Sequence, residues 1–231
     1  KIQSSVARLN QGLVVSETRT RRVSAIYDRS MKGDRGRGKH PREAIRLVAL
    51  LGNPGRQYAA SRHNVAWMVE SAIPGSRSYQ GKFKGRFAKE GQSYLLLPET
   101  YMNRSGESLS ACAAYFSVEP EEILVVHDET ELPLGSVQLR AGGGTAGHNG
   151  LKSIRRELGT ADFHRFRLGV GRPARGNLSS YVLSAFSPEE QPTLERLLEE
   201  CGRILDDMIS RRQSDRLAAI GGGGRVTLVE R

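Results

Sequence analysis

Five short polar sets hold the side chains of this sequence that could do chemistry: Asn53, His63-Asn64, Met102-Asn103, His127-Asp128 and His148-Asn149. A histidine with a carboxylate partner activates water, because the carboxylate fixes the imidazole tautomer and raises its basicity. His63 stands where a helix is expected to begin, so the helix dipole would disfavour its imidazolium and a nearby Asp128 would favour it. Asparagine amides are neutral and both donate and accept, which suits a peptide backbone or a developing oxyanion. There is no Gly-x-Ser-x-Gly elbow and no Cys beside a His, so covalent catalysis is disfavoured, and no zinc-type Cys/His spacing occurs. Each set also has a plainer explanation. Asn53 between Gly52 and Pro54 suits a turn, and Asp128 a turn or helix cap. His148-Asn149-Gly150 suits a turn ending in a left-handed residue, and a lone His63 near a helix start is often structural.

The elements that must position these sets follow from hydrophobic patterning. Leu47 to Leu51 is a continuous apolar run of strand length, as a strand buried on both faces requires, and Gly52-Asn53-Pro54-Gly55 breaks it. Ser61 is an expected N-cap for a helix reaching about Ile73. Residues 82–97 hold two strand-like stretches, and 104–117 read as a helix with Leu109, Ala113 and Phe116 inward. Residues 123–126 form a second fully apolar strand, with His127-Asp128 placed after it. Val137 to Leu139 is a short strand, 151–158 a basic helix, and 166–170 an alternating strand. Leu194, Leu197, Leu198, Cys201, Ile204, Leu205, Met208 and Ile209 follow the spacing of an amphipathic helix. Alternating strands and helices imply an α/β sandwich with a mixed, largely parallel sheet, whose ligands bind at the carboxyl ends of the strands. The polar sets would then converge on one rim.

The chain has 231 residues, which at ~100–200 per domain is one domain with tails or a tight pair. Its 26% charged and 38% hydrophobic content argues against wholesale disorder, and no apolar run approaches the ~18 residues of a membrane span. Cys112 and Cys201 fall in apolar helical patterns and make no disulfide framework, which suits a reducing compartment. The net charge of +10 is uneven: residues 1–43 hold eleven Lys/Arg and four Asp/Glu, so +7 falls there. That arm reads as a flexible linker or solvated tail whose natural partner is a polyanion. Its acid-poor, Ser- and Arg-rich start also looks like a targeting segment, so a mitochondrial or plastid location stands beside a cytoplasmic one. The folded body is expected at 44–213, with a Gly-loosened tail at 214–231.

Leu50 to Gly55, Tyr58 and Arg62 to Val65 closely resemble the opening of bacterial-type peptidyl-tRNA hydrolases. Thr100 to Gly106, His127 to Glu129 with Leu132 to Gly135, Gly142 to Gly144 with Gly147 to Lys152, and Phe163 to Gly171 resemble four further motifs of that family, in order. The resemblance covers roughly 46–210. It implies a single α/β domain, its mixed sheet surrounded by helices, that acts as a monomer and hydrolyses the ester between peptide and tRNA without metal or cofactor. It implies His63 as the general base, Asp128 as its holder, and Asn53, Asn103 and Asn149 lining the cleft beside Tyr58, Met102 and His148. It points to Lys152, Arg155, Arg165 and Arg167 for tRNA, and the arm would add ribosomal RNA or the ribosome. The chain departs from the pattern at Thr145-Ala146, Glu131 and Ala66-Trp67, none of them catalytic. A different class, an RNA-binding protein on the same fold without hydrolysis, is the alternative. The complete His63, Asp128 and asparagine set argues for the enzyme.

Overall fold

In a computed structural model, residues 45–173, 175–210 and 226–228 are described. The basic arm and the Gly221 to Gly224 stretch lie outside the described residues.

The apolar run folds as β1 (Leu47–Leu50) because both of its faces are covered. Leu47, Ala49 and Leu51 enter one core with Leu109 and Cys112 of α2 (Ser105–Phe116) and Leu151 and Ile154 of α3 (Asn149–Leu158). Val48 and Leu50 enter the other core with Val65 and Val69 of α1 (Val65–Glu70) and Leu197, Cys201 and Ile204 of α5 (Gln191–Ile209). A strand with helices on both faces has no solvent side, so its sequence does not alternate.

The sheet runs β2 (Gln80–Lys82), β3 (Gly85–Glu90), β4 (Ser93–Pro98), β1, β5 (Ile123–Glu129), β7 (His164–Gly169), β6 (Ser136–Ala141), β8 (Val226–Thr227). β4, β1, β5 and β7 are parallel neighbours, while the pairs toward both edges are antiparallel. Six of the eight strands, all but β3 and β6, therefore point one way. This is the expected single α/β domain with a mixed sheet between helices, but the sheet is less parallel than expected: three of its seven pairings, at the centre, are parallel and four are antiparallel. The carboxyl ends of β4, β1 and β5 lie side by side, and that rim carries the polar sets.

Local structure departs from the expectations in four places. Ser61 does not cap a helix: its hydroxyl donates to the Tyr58 carbonyl, and a 3-10 turn (Arg62–Asn64) precedes α1, which stops at Glu70. His127 and Asp128 lie inside β5 rather than after it, because β7 continues the ladder past them, Asp128 facing Leu168. The third helix starts at Asn149, two residues early, because His148 caps it. β2, β8 and the short α4 (Leu178–Leu183) carry too little periodicity to be read from sequence.

Candidate active site

The break after β1 puts Asn53 at the rim, and a two-way clasp fixes it there. The Asn53 backbone N–H donates to Asn64 Oδ1 at 2.8 Å, and Asn64 Nδ2 donates back to the Asn53 carbonyl at 2.9 Å. Asn53 Oδ1 accepts the Met102 N–H at 2.8 Å. That bond orients the amide and leaves the Asn53 NH2 as the group a substrate oxygen can use. Gly52 allows this turn to lie under Trp67: a Cβ there would stand 2.5 Å from the indole, whose Nε1 donates to the Leu50 carbonyl.

His63 Nδ1 donates to Asp128 Oδ1 at 2.7 Å. Both groups are buried, and the His63 side chain keeps 11% of its surface exposed. With the proton fixed on Nδ1, the Nε2 lone pair is the basic position. His148 Nε2 donates to the same Asp128 oxygen at 3.0 Å, while its Nδ1 accepts the N–H groups of Gly150 and Leu151 at 3.1 and 3.3 Å. Burial alone would raise the Asp128 pKa. The electrostatic attraction and hydrogen bond of the His148 N–H, and then those of His63, outweigh it and hold the carboxyl well below the usual range. His127 meets His148 edge-on, ring centroids 4.9 Å apart, and donates its Nδ1–H to the Asp128 carbonyl. Its Nε2 has no partner, and burial, with His148 adding, pushes its pKa down to about 3. Ligand-type atoms of His63, Asp128 and His148 lie within 4.8 Å of one another. The acceptor role of His148 Nδ1 puts the proton on Nε2, which withholds the lone pair a metal would need.

The remaining expected site residues distribute around this centre. Met102 is buried under the rim, and Asn103 is exposed on the 3-10 turn Met102–Arg104, which packs against α3. Asn149 is exposed as the first residue of α3, and Tyr58 is half-buried after the Asn53 turn. Lys152 and Arg155 are exposed on α3. Arg165 and Arg167 have other work. Arg165 is buried and donates to the Gly144 and Gly143 carbonyls at 2.5 and 2.7 Å, so it holds the glycine-rich loop. Arg167 pairs with Glu129 at 2.5 Å and with Gln138. Of the four residues expected to meet tRNA, these two are engaged within the fold, while Lys152 and Arg155 are exposed.

Two structural residues were given no role of their own from sequence. Asn64 makes the Asn53 clasp, and its place directly after His63 was the available signal. Arg62 is buried between the Tyr181 and Phe186 rings, donates to Glu190 at 2.6 and 3.0 Å, and so pins the His63 turn to the segment around α4.

Residues 47–221 match the family model described as peptidyl-tRNA hydrolase. The peptidyl-tRNA hydrolase of Treponema pallidum is 44% identical over 176 residues, 71% of this chain and 85% of that protein. That of Sorangium cellulosum is 45% identical over 175 residues, 71% of this chain and 78% of that protein. The crystal structure of the Acinetobacter baumannii peptidyl-tRNA hydrolase superposes with a TM-score of 0.70 at 33% identity, over 80% of this chain and 97% of that one.

Proposed function

The chain belongs to the peptidyl-tRNA hydrolase family, and on that premise we propose that it hydrolyses the ester joining a peptide to the terminal ribose of tRNA, with His63 as general base. The observation that carries the assignment of roles is the 2.7 Å bond from His63 Nδ1 to Asp128. It frees Nε2 to take a proton from water as the water oxygen attacks the ester carbonyl. Asp128 stabilises the imidazolium that forms. The Asn53 NH2 donates to the oxyanion, and Asn103 and Asn149 bind the peptide from the two elements that flank the cleft. Collapse of the intermediate breaks the bond to the ribose oxygen, and the imidazolium proton goes to that oxygen. The products are a free peptide carboxylate and a tRNA with its ribose hydroxyl restored.

Lys152 and Arg155, exposed on α3 next to the His148 cap, bind the tRNA backbone. Residues 1–43, with their net charge of +7, add RNA contacts of low sequence preference, including ribosomal RNA. No helix among the described residues is long and apolar enough to cross a membrane.

The test is release of peptide from peptidyl-tRNA by the purified protein. His63→Ala should lower turnover by at least the ~10²–10⁴-fold typical of general-base catalysis, with tRNA affinity kept. Near-normal turnover of His63→Ala would remove it from this role.

A further inference from the structure

We propose that His148 is a positioning residue that sets how tightly Asp128 holds the protonated His63, acting from the N-terminus of α3. The inference deepens the reading of His63 as general base and rests on it.

The geometry assigns the proton. His148 Nδ1 accepts two backbone N–H groups, Gly150 at 3.1 Å and Leu151 at 3.3 Å, as the side-chain cap of α3. An imidazole that accepts at Nδ1 carries its proton at Nε2, and Nε2 stands 3.0 Å from Asp128 Oδ1. The same oxygen takes the His63 Nδ1–H at 2.7 Å. One carboxylate oxygen is therefore divided between two histidines, only one of which is on the proposed proton path. Each added donor lowers the affinity of a carboxylate for a further cation.

The ring has little freedom to leave this position. It packs against both His63 and His127, centroids 5.0 and 4.9 Å away. A Cβ on Gly150 would stand 2.7 Å from Met102 Sδ and 3.0 Å from His148 Cε1, so only glycine lets the helix start this close. Protonating Nδ1 would break both cap bonds. The other ionisable groups facing this cluster are His63 on the 3-10 turn, His127 on β5 and, acting on His127, Arg165 on β7.

The experiment compares parent, His148→Asn and Asp128→Asn in peptidyl-tRNA hydrolysis as a function of pH. Asparagine is a good helix cap, so α3 keeps its start while the second donor to Asp128 is lost. We expect His148→Asn to lose about tenfold in kcat with KM within about twofold, because an imidazolium held more tightly is slower to return its proton to the ribose oxygen, an effect the size of one hydrogen bond to a charged group. Its acid limb should move up by about half a pH unit or more, since Asp128 then holds imidazolium more tightly. Asp128→Asn should move the limb down. A limb unmoved in His148→Asn, or a change in KM alone, would reduce His148 to a helix cap or a substrate contact and overturn the inference. Should His148→Asn fold poorly, nitrogen-15 NMR of the parent at neutral pH decides: the proton on Nε2 supports the inference, and the proton on Nδ1 overturns it. Near-normal turnover in His63→Ala would instead sink the general-base reading, which separates the two failures.

Discussion

Acidifying this protein asks the unfolded chain, but not the native one, to take up a proton at His127. The ring is fully buried and its Nε2 has no partner. Burial pushes its pKa from 6.5 down to about 3, with His148 adding to the shift and Asp128 opposing it. Between those two values the unfolded state binds more protons, so stability rises with pH across the window and is lost as pH falls through it. At one pKa unit per ~1.4 kcal/mol, moving from about pH 7 to about pH 5 costs about 2 kcal/mol at this one residue. That is a large share of the ~5–15 kcal/mol that keeps a domain folded. The assay is urea unfolding of parent, His127→Asn and His127→Phe at both pH values. The variants will differ from the parent in absolute stability, but the difference between the two pH values reports the titration of this site. The parent should lose about 2 kcal/mol more than either variant. Equal losses would mean that the native ring finds a way to be protonated.

Asn53→Asp keeps the oxygen that accepts from Met102 and replaces the NH2 with a second oxygen. Thermal melting should show a folded protein whose turnover of peptidyl-tRNA is down ~10²–10³-fold, the usual effect of losing an oxyanion donor. Asp128→Asn should lower turnover and shift the acid limb of the rate profile down; an unchanged profile would count against the His63–Asp128 pair. Ala146 sits at φ 46°, a left-handed conformation that suits glycine. Ala146→Gly should raise unfolding stability by about 0.5–1 kcal/mol in a denaturant titration, and a lower stability would show that the loop is held by contacts of the methyl group.

The sequence showed the pieces of the site more clearly than their connections. β1 and β5 were legible because strands buried on both faces must be apolar throughout. His63, Asp128 and Asn53 were legible because their types and order match a chemistry. His148 was expected beside the cleft, but a His-Asn-Gly triplet gives no sign that its ring accepts the first helical N–H groups and donates to a strand twenty residues earlier. Arg165 and Arg167 stood among the tRNA candidates for a similar reason. Their partners, the Gly143 and Gly144 carbonyls and Glu129, are 21 to 38 residues away in the chain. Short α4 escaped notice because none of its residues is buried, so it shows no periodicity to read. What holds it is local and distant at once: Asn177 caps its start, and Arg62 stacks on Tyr181.

The placement of Asp128 within β5 has a consequence for how the protein fails. Residues fixed in a central ladder exchange their amide hydrogens only when the whole domain opens, whereas turns open at much lower free energy. Asp128 is paired in that ladder with Leu168, and His63 belongs to a three-residue 3-10 turn pinned by side chains. The two partners of the proposed His63–Asp128 pair thus stand in layers of unequal local stability. Loosening confined to that turn would part His63 from Asp128 while leaving the carboxylate fixed in the sheet, a local failure that closing the turn alone would reverse.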